Sequence, residues 1–275
     1  MPLTKLQSNI LGLLAKQRSP DSYVAGGVAI NRDGPRYSGD IDIFHDGDAR
    51  LALTVDADIS ILRSSGLVVS LVGRQGTGKR SANIAGLDES TKIDWVADSD
   101  FRFFPTLTDE LFGYVLHPVD LATNKVSAAA DRRVPRDVVD LLTLHETILP
   151  LGAAITASVG KFIGESPEGI FDSIRRHSRF TAPEFAELPA IHAFDVKGLQ
   201  RRIVVMLEDA ERFILAMPSD GLGVLFLNDG KPVQPDPSRL GDYTRHEGAR
   251  RGHWPSSSEI GSAMLERYTP DKDPA

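Results

Sequence analysis

Asp40 and Asp42 stand two residues apart in the segment Asp40-Ile41-Asp42-Ile43-Phe44. Alternating acidic and apolar residues describe a β-strand with one wet and one buried face, so both carboxylates point to the same side. Like charges held that close raise the electrostatic energy unless something offsets them, and a divalent cation does so economically. Asp94 has the same setting, between Ile93 and Trp95, and an adjacent strand would bring it onto the same face. Three carboxylates offer only hard oxygen donors. They suit Mg2+ or Mn2+, ions that keep part of their water and bind substrate phosphates.

Upstream, the short apolar run Tyr23-Val24-Ala25 ends at Gly26-Gly27. Paired glycines after a strand permit close backbone approach and present N–H groups to a phosphate. Ser38, two residues before Asp40, can donate to the same phosphate, and Arg36 can neutralise it. Glycines, a serine, paired aspartates and a third aspartate suit in-line displacement at the α-phosphate of a nucleoside triphosphate, assisted by a divalent metal. Asp40 and Asp42 would hold the ions, and Asp94 would help activate the attacking hydroxyl. An Asp-x-Asp pair alone also occurs on solvated edge strands and in turns; the glycines, Ser38 and the Ile-Asp-Trp segment shift the balance toward a site.

Other chemistry-bearing patterns carry less. Residues 73–79 (GRQGTGK) satisfy the spacing of a phosphate-binding loop after a strand. However, Arg80 stands where a Ser or Thr should reach magnesium, and SANIAGLDES is a poor first helix. The stretch reads as a hairpin turn, although Arg74, Lys79 and Arg80 can still touch substrate. No two of the seven histidines share metal-ligand spacing on one helix. His45, just past the aspartate strand, can approach the site; His145 falls on the apolar side of its helix and packs. Arg175, Arg176 and Arg179 around His177 read as a solvated helix face.

Helical periodicity is expected over 6–16, 51–62, 119–130, 136–149, 152–163, 167–178 and 196–217, with Pro135 at a helix start. Strands are expected at 40–44, 67–72, 80–85, 92–96 and 223–227, and 231–262 reads as irregular. The chain thus divides into an α/β (α+β) core, 1–118, a mostly helical domain, 119–265, and a tail, 266–275.

The 275 residues are 41 % hydrophobic and 25 % charged, an ordinary globular composition. With no cysteine there is no disulfide scaffold, cysteine nucleophile, iron–sulfur centre or cysteine-held zinc. The formal charge of −7 argues against a broad coat of nucleic acid. It is unevenly spread: 121–205 carry 11 basic against 10 acidic side chains, whereas 1–120 carry 12 against 16. A polyanionic substrate should lean toward the middle segment. No leader peptide is visible in MPLTKLQSNI and no apolar run approaches a membrane span, so a cytoplasmic protein without a membrane partner is expected.

Residues 26–44 (GGVAINRDGPRYSGDIDIF) resemble the glycine–serine–Asp-x-Asp signature of the DNA polymerase beta-like nucleotidyltransferase superfamily, and 91–98 (TKIDWVAD) its third-carboxylate strand. Residues 117–144 (HPVDLATNKVSAAADRRVPRDVVDLLTL) are similar to the segment after the core in the AbiEii/AbiGii abortive-infection toxins. There, a lysine-bearing helix is followed by an arginine-bearing link and an Arg-Asp-x-x-Asp helix start. The resemblance covers about residues 20–148. It implies a small twisted mixed sheet flanked by helices, a C-terminal helical bundle, Mg2+ and a nucleoside triphosphate. It implies that Lys125 lies in the active site, on the nucleotide, together with Asp137 of the Arg136-Asp137-x-x-Asp140 element. It further implies, for toxin members, a tRNA 3′ end as acceptor and a neutralising antitoxin as partner. One departure is GGVAI where the family often reads GG-T-A-L. On spacing alone, Lys125 reads as a surface lysine, and Asp137 equally as a carboxylate facing its helix dipole or as a catalytic one. An antibiotic-type adenylyltransferase, a non-catalytic nucleotide-binding protein and, less well supported, a P-loop hydrolase remain as alternatives.

Overall fold

The computed structural model describes residues 3–73, 76, 78–162 and 164–249. The expected tail and the end of the 231–262 stretch lie outside the described residues. The chain forms two compact units. The first comprises the chain up to Asp100, Pro105–Leu116 and the short segment Pro189–Ile191. The second takes Phe101–Phe104, His117–Leu188 and the chain from His192.

In the first unit the strands are β1 (Ser22–Ala25), β2 (Asp40–Asp46), β3 (Val68–Leu71), β4 (Lys79–Gly86), β5 (Glu89–Asp98), β6 (Leu107–Asp109) and β7 (Gly113–Val115). They form one seven-stranded mixed sheet in the order β3-β4-β5-β2-β1-β7-β6. β2 and β5 run parallel, as do β1 and β7; the other neighbours are antiparallel. The helices are α1 (Lys5–Leu14), α2 (Gly26–Ile30) and α3 (Asp48–Ser64).

One apolar layer holds this unit together. α1 contributes Leu6, Ile10, Leu11 and Leu14, and α3 contributes Leu51, Val55, Ile59 and Leu62. Both spacings put one stripe of each helix inward. The stripes join Ile41 and Ile43 of β2 and Ile93 and Trp95 of β5 in one core. The alternate residues of those strands, the aspartates among them, therefore emerge on the opposite face.

Two polar devices tie this core to the site-bearing strands. Thr4 and Gln7 form a capping box at the start of α1. The Gln7 amide also donates to the Ser38 carbonyl at 2.8 Å, fixing the approach to β2. Beneath β5, the buried Asp58 carboxylate accepts from Arg18 at 2.5 Å and from the Trp95 indole at 2.8 Å.

In the second unit, α4 (Pro118–Asp131), α5 (Pro135–Thr147), α6 (Leu151–Ser158), α7 (Pro167–His177), α8 (Ala182–Ala186) and α9 (Val196–Ala216) precede β8 (Val224–Asn228), β9 (Lys231–Val233) and β10 (Thr244–Glu247). Every residue of α6 is buried. The three strands form an antiparallel sheet in the order β10-β8-β9, which corrects the irregular reading at 231–233 and 244–247. β9 and β10 are three and four residues long, and within Thr244-Arg245-His246-Glu247 only His246 is buried, so composition hides them.

Phe104 is stacked between His117 and His246, at centroid distances of 4.2 and 4.6 Å. Asp120 accepts from the Phe103 and Phe104 backbone N–H groups at 2.7 and 3.0 Å. Burial pushes its carboxyl up to about 6. Among the described residues no single helix is long and apolar enough to cross a membrane.

β3 and β4 are antiparallel neighbours, and Lys79 opens β4. A phosphate-binding loop needs a helix there, so the P-loop alternative fails on topology. Gly26-Gly27 opens the short helix α2, where the resemblance places a helix after the glycine pair.

Candidate active site

Parallel pairing of β2 with β5 sets the carboxylates. Asp42 stands in register with Asp94, and Asp40 with Lys92. The strand period puts Asp40 and Asp42 on one face, and the register adds Asp94 to it. Ligand oxygens of all three lie within 4.8 Å of one another. Ile41, Ile43 and His45 point the other way and are fully buried.

The Asp94 carboxylate is 5 % exposed and heavily solvated by side chains. Its Oδ1 accepts from Ser81 Oγ at 2.6 Å and lies 2.7 Å from Lys92 Nζ. Its Oδ2 accepts from Lys79 Nζ and Lys92 Nζ, both at 2.9 Å. Burial favours the neutral acid, but the bonds from Lys92, Ser81 and Lys79 outweigh it and hold the carboxyl below its usual range. Lys92 and Ser81 are the residues that motif reading missed. The signal was present: in Lys92-Ile93-Asp94 the lysine shares the aspartate's face.

The glycine turn packs directly on this cluster. Ala25, the last residue of β1, is the cross-strand partner of Asp42. Gly26 follows with φ +63°, and a Cβ on it would lie 1.9 Å from Asp42 Oδ2. A Cβ on Gly27 would lie 2.8 Å from Ser38 Oγ and 2.9 Å from Arg36 Nη2. The structure thus brings Gly26, Gly27, Arg36, Ser38, Asp40, Asp42 and Asp94 into one neighbourhood. Ser38 Oγ donates to the Asp40 carbonyl at 2.9 Å. Arg36 is buried and donates to the Tyr37 carbonyl at 2.9 Å. A distant segment buttresses this loop: Tyr37 N–H donates to the Pro189 carbonyl at 2.9 Å, and Ile191 N–H to the Pro35 carbonyl at 3.0 Å.

The donor set fits a hard divalent cation. It contains carboxylate oxygens and no sulfur or imidazole. The missing side chain at Gly26 leaves room for the Asp42 carboxylate to lie against the turn. Asp40 and Asp42, with Asp94, are the residues that would hold such an ion.

Lys125 and Asp137 form a cluster in the second unit. Lys125 Nζ lies 2.9 Å from Asp137 Oδ1 and 3.0 Å from Asp140 Oδ2. Arg132 Nε donates to Asp137 Oδ2 at 2.8 Å. Lys125 is buried, which corrects the surface reading that spacing alone suggested. Burial opposes its charge, but Asp140 and Asp137 more than compensate and raise its pKa. Burial would raise Asp137, yet Lys125 and Arg132 hold it below the usual carboxylate range. Asp137 sits in the first turn of α5, so the helix dipole adds to its ion pairs.

His45 does not reach the carboxylates. It lies on the core face of β2, where burial and the Arg18 guanidinium push its pKa down to about 4. His145 accepts from the Leu151 N–H at 3.0 Å and so satisfies the start of α6. Arg80 pairs with Asp56 at 3.4 Å, and Arg175 with Asp172 and Glu211 on an exposed face. Arg74 lies outside the described residues.

This mixed sheet, with two helices over one face and paired aspartates on the other, is similar in fold to a solved nucleotidyltransferase. The structure is similar to MenT4, a nucleotidyltransferase toxin from Mycobacterium tuberculosis H37Rv, with a TM-score of 0.51 and 13 % identity over 78 % of this chain and 84 % of that one. A candidate nucleotidyltransferase from H. pylori aligns with a TM-score of 0.45 and 16 % identity, over 77 % of this chain and 94 % of that one. No family profile and no curated protein matches the sequence.

Proposed function

We propose that this chain is a metal-dependent nucleotidyltransferase that moves a nucleoside monophosphate from a nucleoside triphosphate to an acceptor hydroxyl. The observation that carries this reading is the in-register pair Asp42 and Asp94, joined by Asp40 and overlaid by the side-chain-free Gly26. A divalent cation bound to these carboxylates would neutralise the α-phosphate and the charge that develops on displacement. The chain's own groups do the rest. The Gly26-Gly27 turn, Ser38 and Arg36 orient the phosphates, and Asp94, once a lysine partner has left it, accepts the proton of the attacking hydroxyl. By the likeness of 117–144 to the AbiEii/AbiGii toxins, Lys125 and Asp137 complete the site, Lys125 toward the nucleotide.

The acceptor we propose is a tRNA 3′ end, in a toxin that a cognate antitoxin protein neutralises. Two things support this: the resemblance of the Lys125–Asp140 segment, and the toxin fold shared with MenT4. The decisive experiment incubates the protein with each labelled nucleoside triphosphate, Mg2+ and total cellular RNA. Label should enter tRNA with the wild type and not with Asp42→Asn at equal folded concentration. Label in a small acceptor would replace the tRNA reading with an antibiotic-type one. Transfer by Asp42→Asn at the wild-type rate would overturn the metal assignment.

A further inference from the structure

Asp94 has no acceptor position left. An ionised carboxylate offers about four lone-pair directions. In the structure Ser81 and Lys92 meet Oδ1, and Lys79 and Lys92 meet Oδ2. A cation that takes Oδ2 of Asp94 must therefore displace a lysine, and one that takes Oδ1 must displace Lys92 or the Ser81 hydroxyl. The two lysines arrive from neighbouring strands: Lys79 opens β4, and Lys92 lies on β5 in register with Asp40. Lys92 is thus flanked by Asp40 across the strand and by Asp94 two residues along its own. Their side chains are 55 % and 36 % exposed, so both ammoniums can leave toward solvent while Asp94 stays buried.

We propose that Lys79 and Lys92 are exchangeable counter-ions of the carboxylate cluster. They balance Asp94 until a divalent cation displaces them, and the released ammoniums then bind phosphate oxygens of the incoming substrate. The inference rests on the metal assignment above and adds two residues to it. Three carboxylates against two ammoniums form a site that attracts a cation. Once the cation is seated, the same groups form a net positive site that attracts phosphate. Cation and phosphate binding become coupled without any movement of the backbone.

Their place in the sheet bears on which phosphate they take. The Gly26-Gly27 turn lies at the β1 side of β2, whereas Lys79 and Lys92 lie on β4 and β5, at its other side. The triphosphate and the acceptor are the two sources of phosphate, and the test separates them. A lone surface lysine beside a carboxylate is worth little. Here two lysines converge on one buried carboxylate of a three-carboxylate face.

The test measures Mn2+ binding by the full chain at low salt, from the electron paramagnetic resonance signal of free Mn2+. Lys79→Met and Lys92→Met should each bind Mn2+ about fivefold tighter than wild type, and the double variant tighter still. At saturating Mn2+, the double variant should bind a non-hydrolysable nucleoside triphosphate or a short RNA oligonucleotide at least about tenfold more weakly, as expected for lost charge-assisted hydrogen bonds. Loss confined to the nucleotide assigns the lysines to the triphosphate, loss confined to the oligonucleotide assigns them to the acceptor, and loss of both shows that they serve each. Loss of neither, or unchanged or weakened Mn2+ affinity in the lysine variants, overturns the inference. The control is Asp42→Asn. Retained Mn2+ binding there overturns the carboxylate site itself; lost binding there with unchanged lysine variants overturns the lysine inference alone.

Discussion

Gly26 and Asp42 compete for one volume: a Cβ on the glycine would fall 1.9 Å from the Asp42 Oδ2 atom. The glycine also holds φ +63°, a conformation that costs other residues about 1–2 kcal/mol. Gly26→Ala should therefore lose about that much stability and, in addition, push the Asp42 carboxylate off the shared face. Gly66 is the matching control, with φ +83° and nothing near a Cβ. Gly66→Ala should show a similar stability loss in urea and keep Mn2+ binding and transfer. If Gly26→Ala binds Mn2+ as the wild type does, the close approach has no bearing on the site.

Asp58 should be the costliest single truncation beneath the site. Its carboxylate is fully buried and serves both Arg18 and Trp95, the residue after Asp94. Burial pushes the Asp58 carboxyl up and the Arg18 guanidinium down, while each ion holds the other charged. Asp58→Ala leaves a buried guanidinium without its carboxylate and should cost about 3–5 kcal/mol. Arg18→Met combined with Asp58→Leu should recover most of it, because the apolar pair strands no charge. Urea unfolding of the three variants checks this; a double variant no more stable than Asp58→Ala would refute it.

The carboxylate face was legible because a strand's period is two and nothing else is needed to align Asp40 with Asp42. Asp94 followed from the same alternation in Ile93-Asp94-Trp95. The register that puts Asp42 beside Asp94 is a property of two strands separated by some fifty residues, and no local pattern encodes it. Lys92 was passed over because a lysine next to an aspartate on a half-exposed strand is ordinary; only the convergence of Lys79 from β4 makes it unusual. The short strands β6, β7, β9 and β10 were missed for a related reason. At three or four residues they show too few alternations to stand out from loop sequence. The long helices of the second unit were plain from their apolar spacing. The burial of Lys125 was not, since it depends on two aspartates of the next helix.

Lys125 stands between two buried carboxylates, so removing its charge tests fold and chemistry together. Lys125→Met should cost about 3–5 kcal/mol, because Asp140 loses its ammonium partner within the core. Adding Asp140→Asn should restore part of that stability. Transfer per folded molecule should stay low in the double variant if Lys125 serves the nucleotide. Wild-type transfer by the refolded double variant would confine Lys125 to holding α4 and α5 together.

His45 makes a prediction about pH. Burial first, and the Arg18 and Arg50 guanidiniums next, lower its pKa from 6.5 to about 4. The folded protein therefore resists protonation at a pH where the unfolded chain accepts it. Stability from the neutral ring is complete above pH 6.5 and is lost as pH falls from 6.5 to about 4, below which both states are protonated. At about 1.4 kcal/mol per pH unit, the full loss is about 3.5 kcal/mol, of which about 3 kcal/mol is reached by pH 4. Asp58 and Asp120 act in the opposite sense: their raised pKa values favour the folded state in acid and lose that effect as pH rises. Those contributions are common to wild type and His45→Gln, so they cancel in the difference between the two. Urea unfolding from pH 7 to pH 4 should show the wild type losing about 3 kcal/mol more than His45→Gln. Parallel pH profiles would mean that the buried ring takes up its proton within the folded state, close to its ordinary pKa.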